Sequence, residues 1–158
     1  MKLFNDGKCI PAMFVLNDVV YNKAHPFPYV TVELNDQIII TRLNSFGKKS
    51  KEKITIEADE IDHMDITCTK GFNGGIGARG IVPLDFYLKV EIVLKNTEKY
   101  AIMNSSVMMF KKLCSYLDEK HIKYRDIDHL LELLKDVNKD EEVADILLPL
   151  YKNFKHFI

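Results

Sequence analysis

Two neighbouring segments with a period of two residues constrain the fold of this chain most strongly. Residues 29–34 (YVTVEL) and 37–43 (QIIITRL) alternate apolar and polar side chains on either side of Asn35 and Asp36. This period belongs to a β-strand with one buried face, and Asn and Asp tolerate the positive φ angles of a two-residue turn. The pattern predicts an antiparallel hairpin and, with it, a sheet as a main element of the fold.

A second pair of strands is predicted around an acidic interruption. Residues 54–58 carry apolar side chains at even positions, the stretch 59–62 breaks the phase, and the even phase then resumes. Such a shift is expected at a short corner that inserts an extra side chain, here Ile61, into the core. The even-phase residues beyond the corner are Met64, Ile66 and Cys68.

The remaining strand segments are predicted with less regular patterns. Residues 85–95 and 99–103 bracket the polar residues 96–98, which predicts another hairpin. Residues 12–21 are rich in β-branched and aromatic side chains and predict an edge strand. Residues 44–53 are polar and predict a loop.

Helical spacing appears only in the last third of the chain. Ser105 or Ser106 can cap a first helix, Asp126 or Asp128 a second, and Asp140 opens a third. Burying one large apolar side chain is worth about 1.5 to 3 kcal/mol, so the apolar stripe of the third helix must cover something, on this chain or on another copy. The predicted interaction surface consists of Val143, Ile146, Leu147, Leu150, Phe154 and Phe157.

The apolar faces of the strands and of the first helix predict one main core. A chain of 158 residues with 47% hydrophobic composition suffices for one domain with a core and is too short for two domains of ordinary size. The predicted members of that core are Ile56, Ile61, Ile66, Val90, Ile92, Leu94, Phe110, Leu113 and Leu117.

Part of the chain, from Tyr29 to about His121, resembles the bacterial pleckstrin-homology-like domain family. The resemblance rests on residues 53–64 (KITIEADEIDHM), 90–102 (VEIVLKNTEKYAI) and 110–117 (FKKLCSYL). It implies an α+β fold in which an antiparallel β-sandwich or curled sheet is closed by an amphipathic helix.

The chain departs from that family in two respects. Members that bind phosphoinositides carry basic residues at the first hairpin loop, whereas residues 33–37 (ELNDQ) are acidic, and the chain has no tryptophan. The resemblance therefore implies no inositide site at this loop. The expected domains are a pleckstrin-homology-like unit with an extra N-terminal strand at 1–122 and a C-terminal helical extension at 123–158.

Charge and cysteine content limit the classes of function. The net charge is −1 and only three of the 22 basic residues are arginine, so no nucleic-acid partner is expected. Cys9, Cys68 and Cys114 are widely spaced and match no disulfide or metal pattern, which predicts a reduced, cytoplasmic compartment. The sequence predicts no signal peptide and no transmembrane segment, and it does not favour peripheral contact with a membrane.

One glycine-rich stretch matches a named motif. Gly75, Gly77 and Gly80 spell G-x-G-x-x-G within residues 71–80 (GFNGGIGARG). That motif binds dinucleotides where a strand precedes it and a helix follows at once, because the helix N-terminus holds the pyrophosphate. Alternating, β-branched residues follow it here, so the stretch predicts a connector between strands, and no cofactor is expected.

Basic residues concentrate in one segment and acidic residues in another. The acidic stretch 57–65 lacks the alternating ligands and the turn glycine of a calcium loop, so no metal is predicted. The basic segment could contact phosphate or anionic lipid, although Glu52 dilutes it and a solvated loop is favoured. The candidate anion-binding residues are Arg42, Lys48, Lys49, Lys51 and Lys53.

Together these patterns predict a non-catalytic module that binds a protein partner or assembles with copies of itself. The sequence contains no histidine pair at i, i+4 and no nucleophile elbow, and Cys68 and Cys114 lie on apolar faces, as core thiols do. The first alternative is an anion or lipid-headgroup binder that uses residues 42–53. The second is an enzyme whose site is assembled from distant residues.

Overall fold

A computed structural model of the protein describes residues 9–22, 28–72, 84–147 and Pro149. Strands make up most of this part of the chain. They are β1 (Ile10–Leu16), β2 (Val19–Tyr21), β3 (Val30–Leu34), β4 (Gln37–Leu43), β5 (Lys49–Glu57), β6 (Ile61–Phe72), β7 (Leu84–Leu94), β8 (Lys99–Asn104) and β9 (Tyr124–Asp126). The helices are α1 (Val107–Glu119), α2 (Leu130–Leu133) and α3 (Val143–Leu147), and 3₁₀ turns occupy Ala58–Glu60 and Asp140–Glu142.

The nine strands of the described chain form one mixed sheet. Its hydrogen-bonded order is β5-β4-β3-β1-β8-β7-β6-β9, and β2 pairs with β1. Three pairings are parallel: β1 with β3, β1 with β8, and β6 with β9. The predicted fold class, an antiparallel pleckstrin-homology-like sandwich closed by a helix, is therefore wrong.

The error has a physical reason, since alternation along one strand is the same whether its neighbour is parallel or antiparallel. The two hairpins with short turns, β3 with β4 and β7 with β8, are confirmed. The parallel neighbours of β1 are instead set by contacts between distant residues, such as Ile10 with Ile102. Residues 12–21, predicted as one edge strand, contain most of β1, all of β2 and a turn at Asn17 and Asp18, with φ angles of 48° and 63°.

Asn104 fills the gap along β1 between the end of β8 and the end of β2. Its side-chain amide donates to the carbonyl oxygens of Ala12, at 2.9 Å, and Tyr21, at 3.0 Å. Its Oδ1 accepts from the Ser106 backbone N–H at 2.7 Å. Because the Asn104 side chain is fully buried, these three hydrogen bonds replace contacts that water would otherwise supply. One side chain thus joins β1, β2 and the start of α1.

A three-residue corner joins β5 to β6, although these strands are six places apart in the sheet order. In a flat sheet that separation would be about 29 Å, at about 4.8 Å per strand. The backbone from Glu57 to Ile61 reaches about 14 Å at most. The sheet must therefore curve until the end of β5 approaches the start of β6. Ile61 is 6% exposed at this corner, which confirms its predicted insertion into the core.

Helix α1 packs against the inner face of the sheet, and its buried side chains belong to the same core cluster as those of the strands. Ser106 caps it by accepting a hydrogen bond from the Met109 N–H at 3.2 Å, which confirms one of the two predicted caps. Seven of its 13 residues are buried, about the share expected when one broad apolar face of a helix packs against a core. The Tyr116 hydroxyl also donates to the Asn35 carbonyl at 2.8 Å and ties α1 to the β3–β4 turn.

The nine residues predicted for the main core are all buried. None is more than 8% exposed, and all belong to one hydrophobic cluster that includes strands β1, β3, β4, β5, β6, β7 and β8 together with α1. The core prediction is confirmed, although the topology that builds this core was predicted incorrectly.

The segment after α1 packs onto α1 and the sheet. Strand β9 joins the edge of β6, and the carboxylate of Asp126 caps α2 by accepting from two of its backbone N–H groups, at 2.8 and 2.7 Å. Further along, Asp140 Oδ1 accepts from the Val107 N–H at 2.7 Å, and Lys111 Nζ donates to the Val137 carbonyl at 2.6 Å. The buried apolar side chains described in this segment are Ile122, Leu130, Leu134, Val137, Val143 and Leu147.

Candidate functional site

Within the part of the chain that the structure describes, strand β5 forms one edge of the sheet and pairs only with β4. A hydrogen bond on the opposite side of β4 shows which backbone groups of β5 point outward. There the Leu43 N–H donates to the Tyr29 carbonyl at 2.8 Å. Odd-numbered residues of β4 therefore bond to β3, and even-numbered residues bond to Ile54 and Ile56 of β5. It follows that Lys53 and Thr55 direct their N–H and C=O groups away from the sheet, where the described chain offers no backbone partner.

The turn before β5 is shorter than the sequence suggested. Residues 44–53 were predicted as a loop, but β5 already begins at Lys49, because an exposed edge strand needs no continuous apolar face. The turn is held by Asn44 Oδ1, which accepts from the N–H groups of Phe46, at 2.9 Å, and Lys48, at 3.0 Å. Gly47 has a φ of +73°, a conformation that favours glycine. Phe46 is 86% exposed at the tip.

A bulge interrupts the pairing of β4 with β5 just after this turn. Between the pairs Leu43–Lys49 and Thr41–Lys53, β5 has three residues where β4 has only Arg42. Arg42 Nη1 lies 3.0 Å from Glu52 Oε2, and both side chains are 53% exposed. A surface ion pair of this kind contributes about 0 to 1 kcal/mol, so it orients the two side chains more than it stabilises the fold.

A cleft of about 970 Å³ adjoins the bulge. Ile10, Pro11 and Leu43 supply apolar lining, and the half-exposed ring of Tyr29 borders it. The Arg42–Glu52 pair provides its main charged groups. A cleft of this size and composition can receive apolar side chains or a small molecule with a few polar atoms.

The five predicted anion-binding residues do not converge on one point. Arg42 shares the inner face of the sheet with its partner Val30 and is paired with Glu52. Lys49 is paired with Glu33, whose side chain lies on the outer face. Lys48, Lys51 and Lys53 are exposed, and none of them has a carboxylate within 4.0 Å among the described residues. Among the described residues, the structure therefore offers one available cation just before β5 and two along it rather than a convergent pocket of five.

The predicted interaction surface of the C-terminal segment is used within the chain where the structure describes it. Val143 is 7% exposed and Leu147 fully buried, both in the main core, and Ile146 is partly buried against it. Leu150, Phe154 and Phe157 lie outside the described residues. The members that are described are therefore covered by this chain's own core.

A charge cluster on the outer face of β6 was missed by the sequence analysis. Arg125 donates to Asp65 through two parallel hydrogen bonds, Nε to Oδ1 and Nη2 to Oδ2, each 2.6 Å long. His63 Nε2 lies 3.2 Å from Arg125 Nη2. The hydrogen bond from Arg125 holds the pKa of Asp65 below its ordinary value. Only the parallel pairing of β9 with β6 brings these residues together, and no local pattern indicated that pairing.

This ion pair predicts a change in the acid sensitivity of the fold. Since the pKa of Asp65 is depressed in the folded state, its stabilising contribution is present above the ordinary value of 3.8 and is lost as pH falls below it. We expect Asp65→Asn to lower the melting temperature near neutral pH and the difference from wild type to shrink below that value. Arg125→Gln should likewise lower the melting temperature near neutral pH, with a difference from wild type that shrinks in acid. A difference that stays constant across this pH range would contradict the assignment.

The described thiols lack the lowered pKa of a reactive cysteine, and the described carboxylates do not group into a metal site. Burial raises the pKa of Cys9 to about 11 and that of Cys114 to about 12, and it also raises the pKa of Cys68. These thiols stay protonated at neutral pH and are weak nucleophiles. In the described ranges no three His, Cys, Asp or Glu side chains are grouped as metal ligands.

The glycine motif itself, Gly75, Gly77 and Gly80, lies outside the described residues. The strands that flank it, β6 and β7, pair antiparallel up to Phe72 with Leu84. A dinucleotide fingerprint requires parallel strands with a helix between them. The described surroundings of the motif therefore do not have the architecture of a dinucleotide site.

No protein-family model, curated protein or solved structure matches this chain. The resemblance to pleckstrin-homology-like domains stays a prediction from the sequence. Among the described residues, no helix has the length and apolar character needed to cross a membrane.

Proposed function

We propose that this protein is a non-catalytic protein-binding module and that the free edge of β5 receives an extended segment of its partner. The observation that carries the proposal is the open edge, where Lys53 and Thr55 direct N–H and C=O groups outward. An extended peptide satisfies such groups by adding a strand, and the pockets beside the edge select its side chains. The cleft next to the bulge supplies a space of this kind.

The character of the edge favours a different protein over a second copy. An exposed strand edge is a hazard for self-pairing, and lysines along it oppose that pairing by bringing like charges together. Lys49, Lys51 and Lys53 are placed in this way on β5. The three free cysteines are consistent with action in a reducing compartment such as the cytoplasm.

The alternative of anion or lipid-headgroup binding through residues 42–53 has weaker support. Two of its five basic residues, Arg42 and Lys49, are already paired with carboxylates. The exposed Phe46 beside Lys48 is its best argument, because an aromatic ring flanked by a cation suits an anionic membrane surface. Sedimentation with anionic vesicles separates the two: binding abolished by Phe46→Ser would favour this alternative.

Thr55→Pro tests the proposed strand addition. This substitution removes an outward N–H but no hydrogen bond to β4, and proline is tolerated on edge strands. We expect peptides selected on the wild-type protein from a displayed random library to bind the variant at least about tenfold more weakly, because a backbone hydrogen bond is lost and the proline ring obstructs the edge. Titration by fluorescence anisotropy measures the change.

Thr55→Ala is the matched control, since it removes the same side chain but keeps the N–H. It should bind the selected peptides like wild type, and thermal unfolding of both variants verifies that the sheet is intact. The proposal fails if the selected peptides bind Thr55→Pro as tightly as Thr55→Ala, or if the library yields no ligand.

A further inference from the structure

We infer that the segment received by β5 is acidic at alternating positions and apolar at the positions between them. The inference rests on the proposed strand addition and adds the chemical class of the partner. It follows from what the two faces of the sheet present next to the open edge.

The outer face presents unneutralised positive charge. Lys53 lies on this face opposite Thr41, and Lys51 lies two residues before it, within the bulge. Both are exposed and have no carboxylate within 4.0 Å in the described chain, whereas the neighbouring Lys49 is already paired with Glu33. A residue on an added strand lies directly beside its cross-strand partner, so an acidic side chain is attracted here and a basic one is repelled.

The inner face presents apolar surface at the same edge. Ile54 is only partly buried and packs against the core cluster, while Ile56 on the same face is 1% exposed. An apolar side chain on the inner face of an added strand would cover the part of Ile54 that remains exposed. Further along this face, Ser50 and Glu52 border the cleft and lead to its apolar lining.

The alternation follows from strand geometry. Successive side chains of a strand point to opposite faces of the sheet, so a segment beside β5 meets the lysines with every second residue and Ile54 with the residues between. The matching ligand is therefore an extended segment in which acidic and apolar residues alternate, not one with a block of acidic residues.

Three fluorescent peptides distinguish these ligands by anisotropy on the full chain. One alternates Glu and Val, one alternates Lys and Val, and one has the Glu and Val residues of the first in two blocks. We expect the alternating acidic peptide to bind at least about tenfold more tightly than either of the others, since favourable cross-strand pairs are replaced by repulsive or misplaced ones. Its affinity should fall as salt is raised, because these charges are exposed.

The variant Lys51→Glu/Lys53→Glu should reverse the preference in favour of the Lys and Val peptide. The control Lys112→Glu/Lys123→Glu makes the same change of net charge at exposed positions outside β5 and should keep the wild-type preference. Thr55→Pro should weaken binding of the acidic peptide both in the wild-type protein and in the Lys112→Glu/Lys123→Glu control, as expected if the peptide binds at the edge of β5.

The outcomes separate this inference from the proposed function. In one outcome, Thr55→Pro weakens binding of the library-selected peptides, but the alternating acidic peptide binds no better than the other two or not at all. The partner class is then wrong and strand addition stands. If the acidic peptide binds Thr55→Pro as tightly as wild type, its contacts lie elsewhere and the inference fails. A concentration-dependent dimer in light scattering that Thr55→Pro abolishes would identify a second copy as the occupant and overturn the inference.

Discussion

Replacing Phe110 with alanine is expected to lower the free energy of unfolding by about 3 to 5 kcal/mol. Phe110 is fully buried within the single core cluster, so the substitution removes a large apolar side chain and leaves a cavity. The surroundings cannot easily collapse into that cavity. Helix α1 is held at its start by Asp140, along its length by Lys111 and near its end by Tyr116. Urea unfolding measures the loss.

The neighbouring Met108→Ala is a matched control in the same helix. Met108 is 36% exposed whereas Phe110 is fully buried, so truncating Met108 should cost less stability than truncating Phe110. A loss below about 1 kcal/mol for Phe110→Ala itself would show that α1 is not packed into the core as described.

Asn104→Asp is expected to destabilise the protein by about 3 kcal/mol or more near neutral pH. The substitution replaces an amide that donates to two carbonyl oxygens, those of Ala12 and Tyr21, by a carboxylate that can only accept. A buried negative charge then faces two carbonyl oxygens, while only the Ser106 N–H still bonds to it. Both repulsion and desolvation act against the folded state.

The pH dependence of this variant separates the effect of a buried charge from the effect of the lost hydrogen bonds. Burial should raise the pKa of the new carboxyl in the folded state, so the destabilisation is largest above that pKa and decreases as pH falls and the group is protonated. Asn104→Ala should also destabilise, because it leaves the same carbonyls without a donor, but without this recovery in acid. Equal pH profiles for the two variants in urea unfolding would refute the role given to the Asn104 amide.

Local patterns in the sequence were sufficient for the hairpins, the corner and the core. Asn35 and Asp36 mark their turn, the break in alternation marks the corner at Ile61, and the apolar positions of α1 repeat at helical spacing. Each of these features depends on residues close in sequence. The parallel pairings depend on distant segments whose alternation carries no information about their neighbours, so the resemblance to an antiparallel fold supplied the wrong topology.

The candidate site was predicted only in part. The sequence singled out the basic segment, yet it could not show that Arg42 and Lys49 are paired, because Glu52 and Glu33 reach them through strand register. It also assigned the Lys53 region to a loop, since a strand exposed at a sheet edge has no apolar stripe to mark it. Whether a strand lies at the edge depends on how all the strands pair and cannot be predicted from the sequence of that strand alone.

The central position of β1 bears on the order in which the protein is assembled. β1 is the first described strand to be synthesised, and it can pair with β3 early, but its other parallel neighbour, β8, is made only after β4, β5, β6 and β7. Chains whose contacts join distant residues fold slowly, because loop entropy must be lost before those contacts form. The two halves of the sheet can therefore form separately during translation. The pairing of β1 with β8 then joins them, and Asn104, the last residue of β8, completes this junction by donating to the carbonyl oxygens of Ala12 and Tyr21.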